Sequence, residues 1–278
     1  MLFFALSACT APDNTDTVDT SDTAAVAENG LPEGESTWTG TVELSGTDYA
    51  LDVVLRNTEG DLEGDATLVI DGFGEVTQSM TGTHEPVGGL VALAPGAWEG
   101  EVGLEVLGVM GRFDPVARTL TGNAVDYASA SDNSLTAGPF SLTLVEGAGA
   151  ATSVGSLAQQ VPVGPASYAG TMQCTGPVRE VAGQLDFDGE GGVVGDITVG
   201  DTGLDTPFGT FDITGVHNPS TGGITLVPGI WRDPAPSVLT FFVDATLSAA
   251  TGSMEGDQRT NTSVCAPGTW SVTLDLSD

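Results

Sequence analysis

From Trp38 onward apolar side chains recur at every second position. Trp38, Gly40, Val42 and Leu44 share one face of an extended chain, and Leu51, Val53 and Leu55 share one face of the next. A period of two marks a half-buried strand, and no stretch carries the 3.6 period of a long amphipathic helix. Further strands are predicted near 66–70, 75–84, 89–98, 102–112, 119–126 and 138–145. Short turns such as Asp71-Gly72 and Gly88-Gly89 separate them. The same pattern returns in the second half of the chain, where Tyr168, Gly170, Met172 and Cys174 share a face. Strands follow near 182–188, 193–199, 208–217, 222–231, 238–246, 251–258 and 268–276.

The return is a duplication. Thr81–Trp98, TGTHEPVGGLVALAPGAW, recurs without a gap as Thr214–Trp231, TGVHNPSTGGITLVPGIW, with nine of eighteen positions identical. Chance would give roughly one or two matches in such a composition. The offset is 130 at 36–44 against 166–174, 131 at Gly64 against Gly195, 133 at the signature stretch, and 130 again at 138–144 against 268–274. The small insertions fall where loops are expected. The chain therefore divides into residues 1–9, 10–35, a first unit at 36–146, a Gly/Pro-rich linker at 147–165, and a second unit at 166–278. Each unit is an ordinary domain size, able to bury its own core.

About eight strands joined by short turns favour an antiparallel meander closed into a small barrel, which removes exposed edges. The fold class expected is all-β: two tandem antiparallel meander barrels of about eight strands each, after a disordered N-terminal tether. The alternating turns, the glycines within strands and the aromatic last strand resemble the small lipocalin-like and avidin-like barrels. The second unit has a Cys in its first strand, an L-x-P-G-x-W stretch at Leu226–Trp231 and a Cys before its last strand. In these it is similar to a bacterial extracytoplasmic β-domain family. That resemblance covers most of 166–278, more loosely 36–146, and implies no activity; likeness of fold does not carry function.

Composition narrows the setting. Hydrophobic residues make up 40% and charged residues only 16%, with 39 Gly and a net charge of −32. The six basic residues are all Arg. Such a polyanion repels nucleic acid and anionic lipid, so no nucleic-acid partner is expected. The acidity suits solubility or the holding of divalent cations.

Residues 1–9, MLFFALSAC, end in Leu6-Ser7-Ala8-Cys9. This resembles the lipobox of a bacterial lipoprotein, which implies lipidation of Cys9 and attachment to a membrane through that lipid. The apolar run is short and has no basic residue before it, so a longer leader is expected upstream. Thr10–Glu35 holds seven acidic residues and none basic, and reads as a disordered, self-repelling spacer. Together the resemblance and the spacer imply a protein of the bacterial envelope, an outer-membrane or cell-surface lipoprotein.

Cys174 ends the first strand of its unit and Cys265 just precedes the last. In a closed meander those strands pair, so a disulfide Cys174–Cys265 is expected, with two buried thiols or a metal pair as alternatives. Leu44 and Leu135 hold the same places in the first unit.

Candidate chemistry is sparse. His84 and His217, the two histidines, are read either as caps bonding backbone at the turns of Pro86 and Pro219 or as ligand contacts at a barrel mouth. Trp98 and Trp231 are read as core plugs or as stacking surfaces for a flat ligand such as a sugar. Pro95-Gly96 and Pro228-Gly229 predict a bulge before each Trp. Asp186, Asp188 and Glu190 resemble the start of a calcium loop, but position twelve is Ile197. An acidic hairpin turn is the alternative reading, and Asn57, Glu59, Asp61 and Glu63 form a looser cluster at the same place in the first unit. No metal site and no cofactor is expected, the one alternative being calcium near Asp186, Asp188 and Glu190. Nucleophile, zinc and phosphate motifs are missing. The expectation is a non-catalytic, lipid-anchored extracytoplasmic protein that binds a small molecule, a glycan or a protein. Its alternatives are a structural envelope protein with filled barrels and a carboxylate-dependent glycan hydrolase.

Overall fold

The computed structural model describes residues 30–70, 72, 74–99, 107–125, 138–147, 162–173, 176–200, 207–232, 239–259 and 268–276. Among them there is no helix. The first eight strands are β1 (Gly34–Leu44), β2 (Thr47–Thr58), β3 (Asp61–Ile70), β4 (Gly74–Glu85), β5 (Leu90–Trp98), β6 (Gly108–Asp114), β7 (Thr119–Val125) and β8 (Gly138–Glu146). The second eight are β9 (Gly164–Gln173), β10 (Val178–Phe187), β11 (Gly192–Gly200), β12 (Pro207–His217), β13 (Gly223–Trp231), β14 (Phe242–Leu247), β15 (Ser253–Arg259) and β16 (Gly268–Leu274). Within each set of eight, every strand pairs antiparallel with the next. β1 closes on β8 and β9 on β16, giving two closed eight-stranded barrels in tandem.

The period-two pattern sets which side chains point inward. On β2, Leu51, Val53 and Leu55 are buried while Asp52, Val54 and Arg56 are exposed. A barrel of eight strands has an interior that side chains can fill. Trp38, Phe113 and Phe140 lie in the first core, with the Trp38 and Phe113 rings edge-to-face at 5.6 Å. The second core holds a run of aromatic contacts, Trp231–Phe211–Phe241–Trp270–Tyr168, with centroids 4.9 to 6.1 Å apart.

The Pro-Gly-x-Trp stretches are bulges in both barrels. Met80 pairs with Pro95 but Gln78 pairs with Trp98, so Gly96 and Ala97 together face Ser79. Ile213–Pro228 and Phe211–Trp231 repeat the shift. The described fold also takes in residues before Ser36. Leu31 is 1% exposed and joins the first core, because its side chain fills the end of the barrel beside His84. Burying it contributes roughly 1.5–3 kcal/mol.

The two barrels pack through their signature strands. Ala92, Ala94, Val125, Val216, Val227 and Phe242 form a third apolar cluster between them. Ala92, Ala94, Val216 and Val227 lie on the outer faces of β5, β12 and β13. Thr83 and Thr225 share a hydrogen bond of 2.9 Å across the seam. Asn218 donates to the Glu59 carbonyl at 2.9 Å, lying over the β2–β3 turn at Gly60. Glu85, which occupies the place of Asn218 in the other copy, lies over Gly191 in the β10–β11 turn. The contact made one way is returned the other way, as a two-fold relation between the copies requires. A Cβ on Gly60 would fall 1.9 Å from the Asn218 amide, and one on Gly191 would fall 2.1 Å from Glu85 Cγ. Both glycines also have positive φ, +98° and +90°.

Candidate functional site

The signature stretch closes one end of each barrel and forms the seam. In each copy the His backbone N–H donates to the glycine of the facing turn: His84 to Gly60 O at 2.7 Å, His217 to Gly191 O at 2.8 Å. The rings then differ. His84 Nε2 accepts the Leu31 N–H at 2.9 Å, and Nδ1 faces the Leu90 carbonyl at 3.0 Å. This fixes the neutral ring with its proton on Nδ1. Asn57 holds the same strap by donating to the carbonyls of Leu31 (3.2 Å) and Pro32 (3.3 Å). In the second barrel Phe187 takes the place of Asn57, edge-on to the His217 ring at 5.7 Å, and among the described residues neither ring nitrogen of His217 has a partner. Burial pushes both imidazoles down from the usual 6.5 to about 4.

Of the four residues read as candidate ligand contacts, His84 is a backbone cap and His217 is buried at the same place with no hydrogen bond to its ring among the described residues. Trp231 is 1% exposed and packs edge-to-face on Phe211. Trp98 is partly buried against the first core. The indole N–H groups of Trp98, Trp231 and Trp270 are buried without an acceptor, whereas Trp38 donates to Ser36 Oγ at 2.9 Å. The Trp pair lies at the end of each barrel opposite its His.

Three concavities lined by described residues lie on the outside of the barrels. One is a groove of about 410 Å³ along the seam, lined by Asp61, Glu63, Thr81, Asp244, Glu255, Asp257 and Arg259. Thr81 hydrogen-bonds Asp244, and Arg259 faces Asp244 and Asp257 at 3.6 and 3.7 Å. Burial, opposed by the Thr221 hydroxyl and helped by Asp244 and Glu59, raises the Asp61 carboxyl above its usual range. The other two sit at the same place on each barrel, around Gly64 and Gly195, with volumes of about 350 and 430 Å³. In the second barrel Arg232 there bridges Asp196 (2.8 Å) and Asp212 (2.6 Å). No family model matches the chain, and no curated protein is similar to it.

The acidic hairpin is a turn. Asp188 Oδ1 accepts the N–H groups of Glu190 and Gly192 at 2.7 and 2.8 Å, while Asp186 lines the outer groove beside Arg232. Asp186, Asp188 and Glu190 do not converge, and among the described residues no group of three or more His, Cys, Asp or Glu side chains is placed to hold a metal ion. An Asp that accepts backbone N–H groups of its own turn is the common use of this residue in hairpins. Cys9, Cys174 and Cys265 lie outside the described residues, as does most of the expected linker at 147–165. The pairing of β9 with β16, on which the expected disulfide was argued, is present, with Gln173 opposite Thr269.

Sequence reasoning missed Asn218, Glu85 and Phe242, which make the seam. A signal was there for two of them. Glu85 and Asn218 stand at matching places beside the paired His in a stretch otherwise rich in identities.

Proposed function

We propose that this chain is a non-catalytic, lipid-anchored protein of the bacterial envelope that acts as a rigid double barrel, meeting its partners with its outer surface. The observation carrying this reading is the packing of the cores. Trp38, Phe211, Trp231, Phe241 and Trp270 are each at most 1% exposed, so their rings occupy the space in which a lipocalin-like carrier holds its ligand. The three concavities lie outside, are shallow, and are bordered by carboxylates and Arg. That chemistry suits a glycan, a cationic peptide or a protein surface. The lipobox at Cys9 and the acidic spacer supply the anchor and the reach.

A second reading, a small-molecule carrier, is favoured by one observation: three buried indole N–H groups without acceptors. A titration separates the two. Full-length protein is mixed with 1-aminoanthracene while tryptophan fluorescence is followed. No saturable quenching is expected from filled barrels. Stoichiometric uptake with quenching would overturn the filled-barrel reading in favour of the carrier. Incorporation of labelled palmitate in a bacterial host, lost in Cys9→Ser, tests the anchor separately.

A further inference from the structure

We infer that His84 is an acid-released latch, holding the segment Gly30–Glu33 against the end of the first barrel while its ring is neutral and letting it go when the ring takes a second proton. The geometry leaves no room for that proton. Nε2 accepts from the Leu31 N–H and Nδ1 donates to the Leu90 carbonyl. Protonation turns Nε2 into a donor pointed at another donor, so the bond to Leu31 is lost and a buried charge takes its place.

The strap also has other holds, which keep it in place while the ring is neutral. Asn57 reaches its two carbonyls at 3.2 and 3.3 Å, and the Glu59 N–H donates to Glu33 Oε2 at 3.3 Å. Leu31 fills the barrel end, so its release uncovers part of the first core. Among the described residues no nearby charge is placed to rescue the imidazolium. On the strap, Glu33 is taken up by the Glu59 N–H; on β4, Glu85 turns outward to the N–H groups of Val87 and Gly88; Glu59 lies in the β2–β3 turn. Asp61 on β3 bonds Thr221 across the seam, β5 offers only the Leu90 carbonyl, and Arg112 of β6 bonds the Gly88 carbonyl. His217 has the same backbone bond and is likewise buried, and among the described residues nothing bonds its ring nitrogens.

The test follows backbone amide exchange in the full chain from pH 7 to pH 3, corrected for the intrinsic rate. Protection of the Leu31 amide is expected to fall at least tenfold with the midpoint of the His84 ring shift, near pH 4, while the amide of Leu226 on β13 keeps its protection. In His84→Gln the side-chain oxygen accepts the same N–H without titrating, so Leu31 protection is expected to hold across the range. Should that variant not fold, the wild-type ring and amide titrations decide alone. Leu31 protection that persists below the His84 midpoint, or that disappears only together with that of Leu226, overturns the latch.

Discussion

The two histidines sit at equivalent places with opposite consequences. His84 joins the Leu31 N–H to the Leu90 carbonyl, so replacing it by Phe strands two buried backbone groups at about 1–3 kcal/mol each. His217 leaves both nitrogens unpaired in an apolar setting beside Phe187. Replacing it by Phe keeps the ring shape and removes that cost. We expect His217→Phe to stabilise the protein by about 1 kcal/mol at pH 7 and His84→Phe to destabilise it, as read from denaturant midpoints. The two also shape the pH response. Both are pushed from 6.5 to about 4, so between those values the unfolded chain binds protons that the folded chain refuses. Stability is full above pH 6.5 and falls as the pH drops through the window, by about 3 kcal/mol for each ring. Asp61 and Glu85 work against this, because burial raises their carboxyls and protonation favours the folded state. His217→Phe should remove about half of the histidine slope. An unchanged slope, or a loss of stability at pH 7, would show that the His217 ring has a partner in solution.

Strands and bulges were legible because both follow from local rules. Alternation placed Leu51, Val53 and Leu55 inside, and proline within a strand marked the bulges before Trp98 and Trp231. The barrels' mutual contact was not legible, because alternation assigns one face to a core and leaves the other to solvent. Ala92, Ala94, Val216 and Val227 sit on outer faces, and only the absence of charge among them hinted that something covers them. Leu31 was missed for a related reason: a lone Leu in an acidic run shows no period. The seam also carries an asymmetry invisible before superposition of the copies. Gly108 opens β6 and Phe242 opens β14 at the matching place, and the two meet. A Cβ on Gly108 would lie 2.2 Å from the Phe242 ring, which is itself fully buried. One copy has become the hole and the other the knob. Gly108→Ala should therefore cost about 1–3 kcal/mol. Adding Phe242→Leu should recover part of that loss, so a double-mutant cycle should show coupling between the two sites. Strict additivity would mean that the ring does not sit over Gly108.

At the scale of the whole molecule, the stretch most alike in the two halves is the stretch under two constraints. Each His-to-Trp segment must close its own barrel and also face its counterpart, so substitutions there are felt twice. The seam it builds is apolar at the centre, with Thr83 and Thr225 bonded to each other and Asn218 and Glu85 lying over opposite turns. A closed barrel has its own core and is able to unfold alone, yet here each barrel end is finished by the other copy. The two should therefore melt as one unit, with calorimetric and van't Hoff enthalpies in agreement for a single transition. Val227→Asp tests the cause. Val227 lies on the outer face of β13, so the new carboxylate enters the cluster between the barrels and not the second core. A carboxylate buried there without a partner costs several kcal/mol, enough to part the barrels while leaving each fold intact. The variant should keep its β-sheet circular dichroism and melt in two steps. Two steps already present in the unaltered protein would show that the seam adds little and that the barrels are merely neighbours.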